Sequence, residues 1–130
     1  MQKENILVTG GAGCIGSELV KELMKNHKVT VLDNLSSGKN EHIQEFTTND
    51  NFQLVEGDIL DKDVLDRVMK NKDMVFHLAA NPDIKFMPGE RTDKDLQQNT
   101  IATYNVLDAM QKNNVKKIAF SSSSVVYGKA

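Results

Sequence analysis

Thr9-Gly10-Gly11-Ala12-Gly13-Cys14-Ile15-Gly16 is the stretch on which the fold turns. A short continuous apolar run, Ile6-Leu7-Val8, precedes it. Ile15, Leu19, Val20, Leu23 and Met24 follow at helical spacing, one apolar face of an amphipathic helix. The context is therefore strand, glycine turn, helix. Gly11, Gly13 and Gly16 satisfy Gly-x-Gly-x-x-Gly, while Gly10, Gly13 and Gly16 satisfy Gly-x-x-Gly-x-x-Gly. Glycines at these spacings permit a tight turn and let backbone approach a pyrophosphate closely. The unpaired N–H groups of the helix start, with the positive end of its dipole, then face the phosphates. Flexible turns produce such glycines by chance, but between a strand and a helix they point to dinucleotide binding.

Working outward, strand and helix patterns alternate along the whole chain. Val29 to Leu32 reads as a second strand, after Asn26-His27 ends the helix. Residues 34–51 are polar, with a short helix expected around Glu41 to Phe46 and a loop at Asn49-Asp50-Asn51. Phe52 to Val55 form the third strand, and Asp61 caps a helix carrying Val64, Leu65 and Val68. Met74 to Leu78 form the fourth strand, followed by a loop over residues 81–91 with Pro82, Pro88 and Gly89. A long helix is expected from Thr92 to Asn113, then a fifth strand from Lys117 to Phe120. This alternation implies right-handed crossovers and a parallel sheet. The expected architecture is α/β, a Rossmann-type doubly wound sheet of order 3-2-1-4-5 that stops after its fifth strand.

Asp33 ends the second strand twenty residues after Gly13. A carboxylate there accepts hydrogen bonds from the adenosine ribose hydroxyls and repels the extra phosphate of NADP. No Arg follows nearby, although Lys39 partly offsets the repulsion. NAD is the expected cofactor.

Five motifs then fall in order at strand ends: the glycine turn, Leu32-Asp33-Asn34-Leu35-Ser36-Ser37-Gly38, Gly57-Asp58-Ile59, His77-Leu78-Ala79-Ala80, and Ser121-Ser122-Ser123-Ser124-Val125-Val126-Tyr127-Gly128. The series resembles the extended short-chain dehydrogenase/reductases, within them the NAD-dependent epimerase/dehydratase family and its UDP-glucose 4-epimerase-like branch. The resemblance covers the whole chain. It implies that Gly10, Gly13, Cys14, Ile15 and Gly16 hold the pyrophosphate, Cys14 mainly through its backbone. It implies that Asp33 and Asn34 to Gly38 (Leu35, Ser36 and Ser37 between them) surround the adenosine, with Asp58 at the adenine amino group and Ile59 beside the ring. Leu78, Ala79 and Ala80 would let backbone run along the dinucleotide, and Asn99 would steady the active-site region. Ser121 opens the serine motif at the cofactor, and Ser123 matches the catalytic Ser/Thr that hydrogen-bonds the sugar oxygen undergoing oxidation.

The same resemblance marks what the 130 residues do not contain. The family's catalytic Tyr-x-x-x-Lys lies downstream of the serine motif, and Tyr127 with Lys129 has the wrong spacing. The chain therefore reads as the N-terminal part of an NAD-binding domain, its substrate domain absent and itself inactive. The expected parent is an enzyme that oxidises the C4 hydroxyl of a nucleotide sugar and returns the hydride to the other face. Ser123-Ser124 tilts the reading towards an epimerase or a UDP-glucuronate decarboxylase rather than a dehydratase. The rival from another class is a non-catalytic NAD-binding sensor or scaffold.

Composition bounds the rest. One domain fits the length, since two would each be too small to bury a core. A net charge of -2 without Lys/Arg clusters offers no face for nucleic acid. Cys14 is the only cysteine, so no internal disulfide forms, which fits a reducing cytosol. No apolar run approaches the ~20 residues of a membrane span. The first residues already read as a strand, so no signal peptide is expected and the protein is placed in the cytoplasm. His27, His42 and His77 show no metal-ligand spacing, and His77 is expected to pack at a strand end. Leu96, Ile101, Tyr104, Leu107 and Met110 are expected to be core or subunit contact, and the resemblance implies a homodimer through that helix.

Overall fold

A computed structural model describes residues 2–36, 40–80 and 96–122. Its order is β1 (Asn5–Thr9), α1 (Cys14–Leu23), β2 (Lys28–Asp33), β3 (Phe52–Glu56), α2 (Lys62–Met69), β4 (Met74–His77), α3 (Ala102–Lys112) and β5 (Ile118–Phe120). All pairings are parallel, and the sheet runs β3-β2-β1-β4-β5. This is the expected Rossmann order. The chain runs outward from β1 to β3 and then crosses back to β4, and this reversal beside β1 leaves a crevice above the carboxyl ends of the strands, where such sheets bind ligands.

Side-chain alternation along β1 and β2 divides the core in two. Ile6, Val8, Val29 and Val31 point to the face covered by Val20 of α1, with Leu23, Phe46 and Phe52 around them. Leu7 and Leu32 point to the opposite face, under Leu65 and Met69 of α2 and Val106 and Met110 of α3. Both faces of the central strands are covered, which is why their sequences read as unbroken apolar runs. α2 begins where its cap was expected. The Asp61 carboxylate accepts from the backbone N–H of Asp63 at 3.0 Å and Val64 at 3.3 Å.

Several boundaries differ from the sequence reading. The short helix is two 3₁₀ turns, Asn40–His42 and Gln44–Phe46, broken at Ile43. Ile43 is fully buried, so the break turns its side chain inward. β4 stops at His77 rather than Leu78, whose N–H still bonds the Thr9 carbonyl at 3.0 Å and also faces the Thr9 hydroxyl at 3.1 Å. The long helix is not a uniform α-helix. Residues Leu96–Ile101 form a wide π turn before α3, and residues 92–95 of the expected span, like the 81–91 loop, lie outside the described residues. The Thr103 hydroxyl donates to the Asn99 carbonyl at 2.5 Å, a side chain-to-backbone bond of the kind that bends helices.

The apolar stripe expected on this helix also divides. Met110 is core, whereas Leu96, Tyr104 and Leu107 are exposed. At the end of β5, Phe120 is 68% exposed. No helix among the described residues is long and apolar enough to cross a membrane.

Candidate functional site

A cavity of about 440 Å³ opens above the carboxyl ends of the strands. Gly10, Gly13, Cys14, Ile15 and Gly16 form one wall at the start of α1. That helix begins without a side-chain cap and without an acidic residue in its first turn, so its N–H groups face the cavity uncompensated. The glycines there serve different masters. Gly10 has φ +73°, and a Cβ on it would lie 2.8 Å from the Ala79 nitrogen. A Cβ on Gly16 would overlap the Gly10 carbonyl oxygen. Gly13, in contrast, is in the extended region, and a Cβ there would meet only the Gly10 carbonyl oxygen at 3.5 Å. The protein itself needs Gly10 and Gly16, but it has room for a side chain at Gly13.

Asp33, Asn34 and Ser36 form the wall at the end of β2. The Asp33 carboxylate is only 9% exposed and tightly oriented. One oxygen accepts from the Ala12 N–H at 3.0 Å, the other from the Leu35 N–H at 2.8 Å. Each oxygen keeps one further acceptor position for a ligand hydroxyl. The bond to Leu35 holds that residue at φ 61°, a left-handed conformation costly for a side chain with a Cβ. Leu35 itself does not line the cavity.

Asp58 and Ile59 form the wall after β3. One Asp58 oxygen accepts from the Leu60 N–H at 2.9 Å, which turns the chain towards α2. Leu78, Ala79 and Ala80 form the wall after β4, and Ser121 the wall after β5. Asn99 lies in the π turn but not on the cavity, where its neighbour Gln98 stands. Ser37, Gly38 and Ser123 lie outside the described residues.

Three features escaped the sequence reading. Gly57 and Leu60 also line the cavity. The His42 ring donates from Nδ1 to the Ala12 carbonyl at 2.8 Å and ties the 3₁₀ segment to the glycine turn, a contact across thirty residues that spacing does not reveal. Ala12 is thus held at its N–H by Asp33 and at its carbonyl by His42. His77 does end its strand, as expected, but it is a bonded group. It is 5% exposed and sits between the hydroxyls of Thr9 and Thr103. Burial lowers its pKa below the ordinary 6.5. Among the described residues no group of three His, Cys, Asp or Glu is arranged to hold a metal ion.

Known proteins share this sequence and fold. The chain is 41% identical over 128 residues to a UDP-N-acetyl-alpha-D-glucosaminuronate decarboxylase of Bacillus cytotoxicus, covering 98% of this chain and 39% of that protein. It is 39% identical over 132 residues to a UDP-glucose 4-epimerase of Bacillus subtilis, covering 95% of this chain and 38% of that one. Among solved structures, a UDP-N-acetylglucosamine 4-epimerase from Methanobrevibacter ruminantium superposes with a TM-score of 0.87 at 42% identity, over 100% of this chain and 41% of that chain. The 130 residues thus span about two fifths of the length of these relatives. Residues 6–130 match the model of the NAD dependent epimerase/dehydratase family, and the chain belongs to that family.

Proposed function

We propose that this chain is the NAD-binding portion of a nucleotide-sugar epimerase of the UDP-glucose 4-epimerase type. The observation that carries the reading is the uncapped start of α1 beside an empty-sided Gly13, opposite the oriented Asp33 carboxylate. A backbone that crowds Gly10 and Gly16 yet leaves Gly13 open fits a ligand phosphate that comes within contact of the turn. In this reading the N–H groups of Cys14, Ile15 and Gly16 hold the pyrophosphate. Asp33 takes the ribose hydroxyls, with Asn34, Ser36, Ser37 and Gly38 beside the adenosine. Asp58 and Ile59 meet the adenine, and Leu78, Ala79, Ala80 and Ser121 flank the rest of the dinucleotide. Once bound, NAD supplies a hydride acceptor and donor for the sugar C4 position. Ser123 hydrogen-bonds the sugar hydroxyl, an assignment that rests on its place in the serine motif.

The 130 residues contain no Tyr-x-x-x-Lys to take the hydroxyl proton. Positioned acid–base catalysis contributes about 10²–10⁴-fold, so this chain alone binds cofactor without turning over sugar. The exposed stripe of Leu96, Tyr104 and Leu107 supports pairing of two copies in the parent enzyme, a homodimer working in the cytoplasm. A second reading, decarboxylation of a nucleotide-sugar uronate, is favoured by the 41% identity to the Bacillus cytotoxicus protein.

The test is a pair of measurements. Calorimetry should detect NAD+ binding by the 130-residue chain. Incubation with NAD+ and UDP-glucose should yield UDP-galactose only from a longer chain carrying the downstream sequence. Turnover by the 130 residues at a comparable rate overturns the catalytic assignment. Turnover of UDP-glucuronate but not UDP-glucose by the longer chain selects the decarboxylase.

A further inference from the structure

We infer that His77 is a positioning residue, locked as the Nε2–H tautomer by the hydroxyls of Thr9 and Thr103, and that this lock sets the Leu78–Ala79 wall of the cavity.

The argument is one of proton counting. Thr9 is fully buried, and its hydroxyl oxygen accepts from the Ala79 N–H at 3.2 Å and shares the Leu78 N–H, 3.1 Å away, with the Thr9 carbonyl at 3.0 Å. A hydroxyl has two lone pairs and one proton. Both lone pairs face these N–H groups, so the proton points along the 2.7 Å contact to His77 Nδ1. Nδ1 is therefore the acceptor, and the neutral ring carries its proton on Nε2. That proton is donated to the Thr103 hydroxyl at 3.0 Å, and Thr103 in turn donates to the Asn99 carbonyl. Every bond runs one way, from the amides of Leu78 and Ala79 through Thr9, His77 and Thr103 to Asn99. The opposite tautomer, or the imidazolium, would set a proton on Nδ1 against a hydroxyl whose lone pairs already face two N–H groups. Burial disfavours the charged ring independently.

The chain of bonds crosses the site. Thr9 precedes Gly10, whose backbone packs on Ala79, and Gly10, Leu78 and Ala79 all line the cavity. Asn99 lies in the π turn next to Gln98, which lines the cavity from that same turn. A ring of the same size without both nitrogens would fill the volume and still release Thr9.

This inference deepens the NAD reading, and one arm of its test does not depend on it. Long-range proton–nitrogen NMR of the 130-residue chain at neutral pH should find His77 with a bare Nδ1 and a protonated Nε2. Thr103→Val leaves the Nε2 proton without its acceptor, and it should loosen the ring, speed hydrogen exchange at the Leu78 and Ala79 amides and weaken NAD+ binding several-fold. Thr103→Ser, which keeps the hydroxyl, should restore both the exchange and the affinity. An Nδ1–H tautomer or an imidazolium in the parent chain overturns the inference, and that measurement stands even if the valine variant does not fold. So does a folded Thr103→Val with unchanged amide exchange. If the parent shows the expected tautomer and amide response but binds no NAD+, the lock is supported and the cofactor assignment fails.

Discussion

Substituting the glycines one at a time separates what the turn requires from what the ligand requires. At Gly13, the backbone conformation (φ -75°, ψ 176°) is open to any residue, and a Cβ meets nothing closer than 3.5 Å. Alanine is a poorer N-cap than glycine by roughly 0.5–1 kcal/mol. Stiffening the unfolded chain returns about 0.4–1 kcal/mol. The two effects nearly cancel, so Gly13→Ala should unfold within about 1 kcal/mol of the parent, a shift of a few degrees in Tm. Cofactor binding should respond quite differently. A hydrogen bond to a charged group contributes about 1.5–3 kcal/mol, and each 1.4 kcal/mol is about tenfold in affinity. A methyl group that displaces the pyrophosphate from even one N–H should therefore weaken NAD+ by about ten- to hundredfold. Gly13→Val should do more. Gly16→Ala is the control of opposite character, because its Cβ would overlap the Gly10 carbonyl oxygen. It should destabilise the fold by about 1–3 kcal/mol or more. Scanning calorimetry measures the first quantity and titration calorimetry the second. A folded Gly13→Ala with parental NAD+ affinity would refute the reasoning, as would a Gly13→Ala as unstable as Gly16→Ala.

Three further outcomes are expected. NAD+ should bind more tightly than NADP+, since like charges near 4 Å at an effective dielectric of 20 cost about 4 kcal/mol; Asp33→Asn should narrow the gap, and equal affinities in titration calorimetry would remove Asp33 from its role. Stability should fall on acidification through His77, whose folded pKa lies below the ordinary 6.5. The unfolded chain then binds the proton first, so this contribution is complete above about pH 6.5, declines below it, and levels off once the folded ring protonates. Thermal unfolding of the parent and His77→Gln across that range checks the sign: a parent that becomes relatively more stable in acid contradicts it. Asp61→Ala should lower the denaturant midpoint by the equivalent of about 1 kcal/mol, the usual worth of an N-cap, and no change would mean that the 3.0 Å and 3.3 Å bonds contribute nothing.

What could be read from the residues, and what could not, follows the range of the forces involved. Strand order was legible because burial on both faces imposes unbroken apolar runs at Ile6 to Val8 and Val29 to Leu32, and because right-handed crossovers leave few arrangements. The Asp61 cap was legible because its partners, Asp63 and Val64, lie two and three residues away. The π turn was not. Helical spacing of apolar residues does not register a locally widened turn, and the bonded Thr103 hydroxyl is no different in sequence from one facing solvent. The division of the α3 stripe was hidden for a related reason, since periodicity finds apolar residues without saying which face meets the sheet. The largest gap is in the polar contacts that join distant segments. Asp33 was singled out for a ribose, yet in the fold it also accepts the Ala12 N–H twenty-one residues away. His42 reaches the carbonyl of the same residue, and Thr9 meets His77 across sixty-eight residues. Such contacts appear only after the sheet has set strand ends side by side. The glycine turn therefore marks the candidate site in the sequence, while the groups that hold its walls in place are assigned by the topology of β1, β2 and β4.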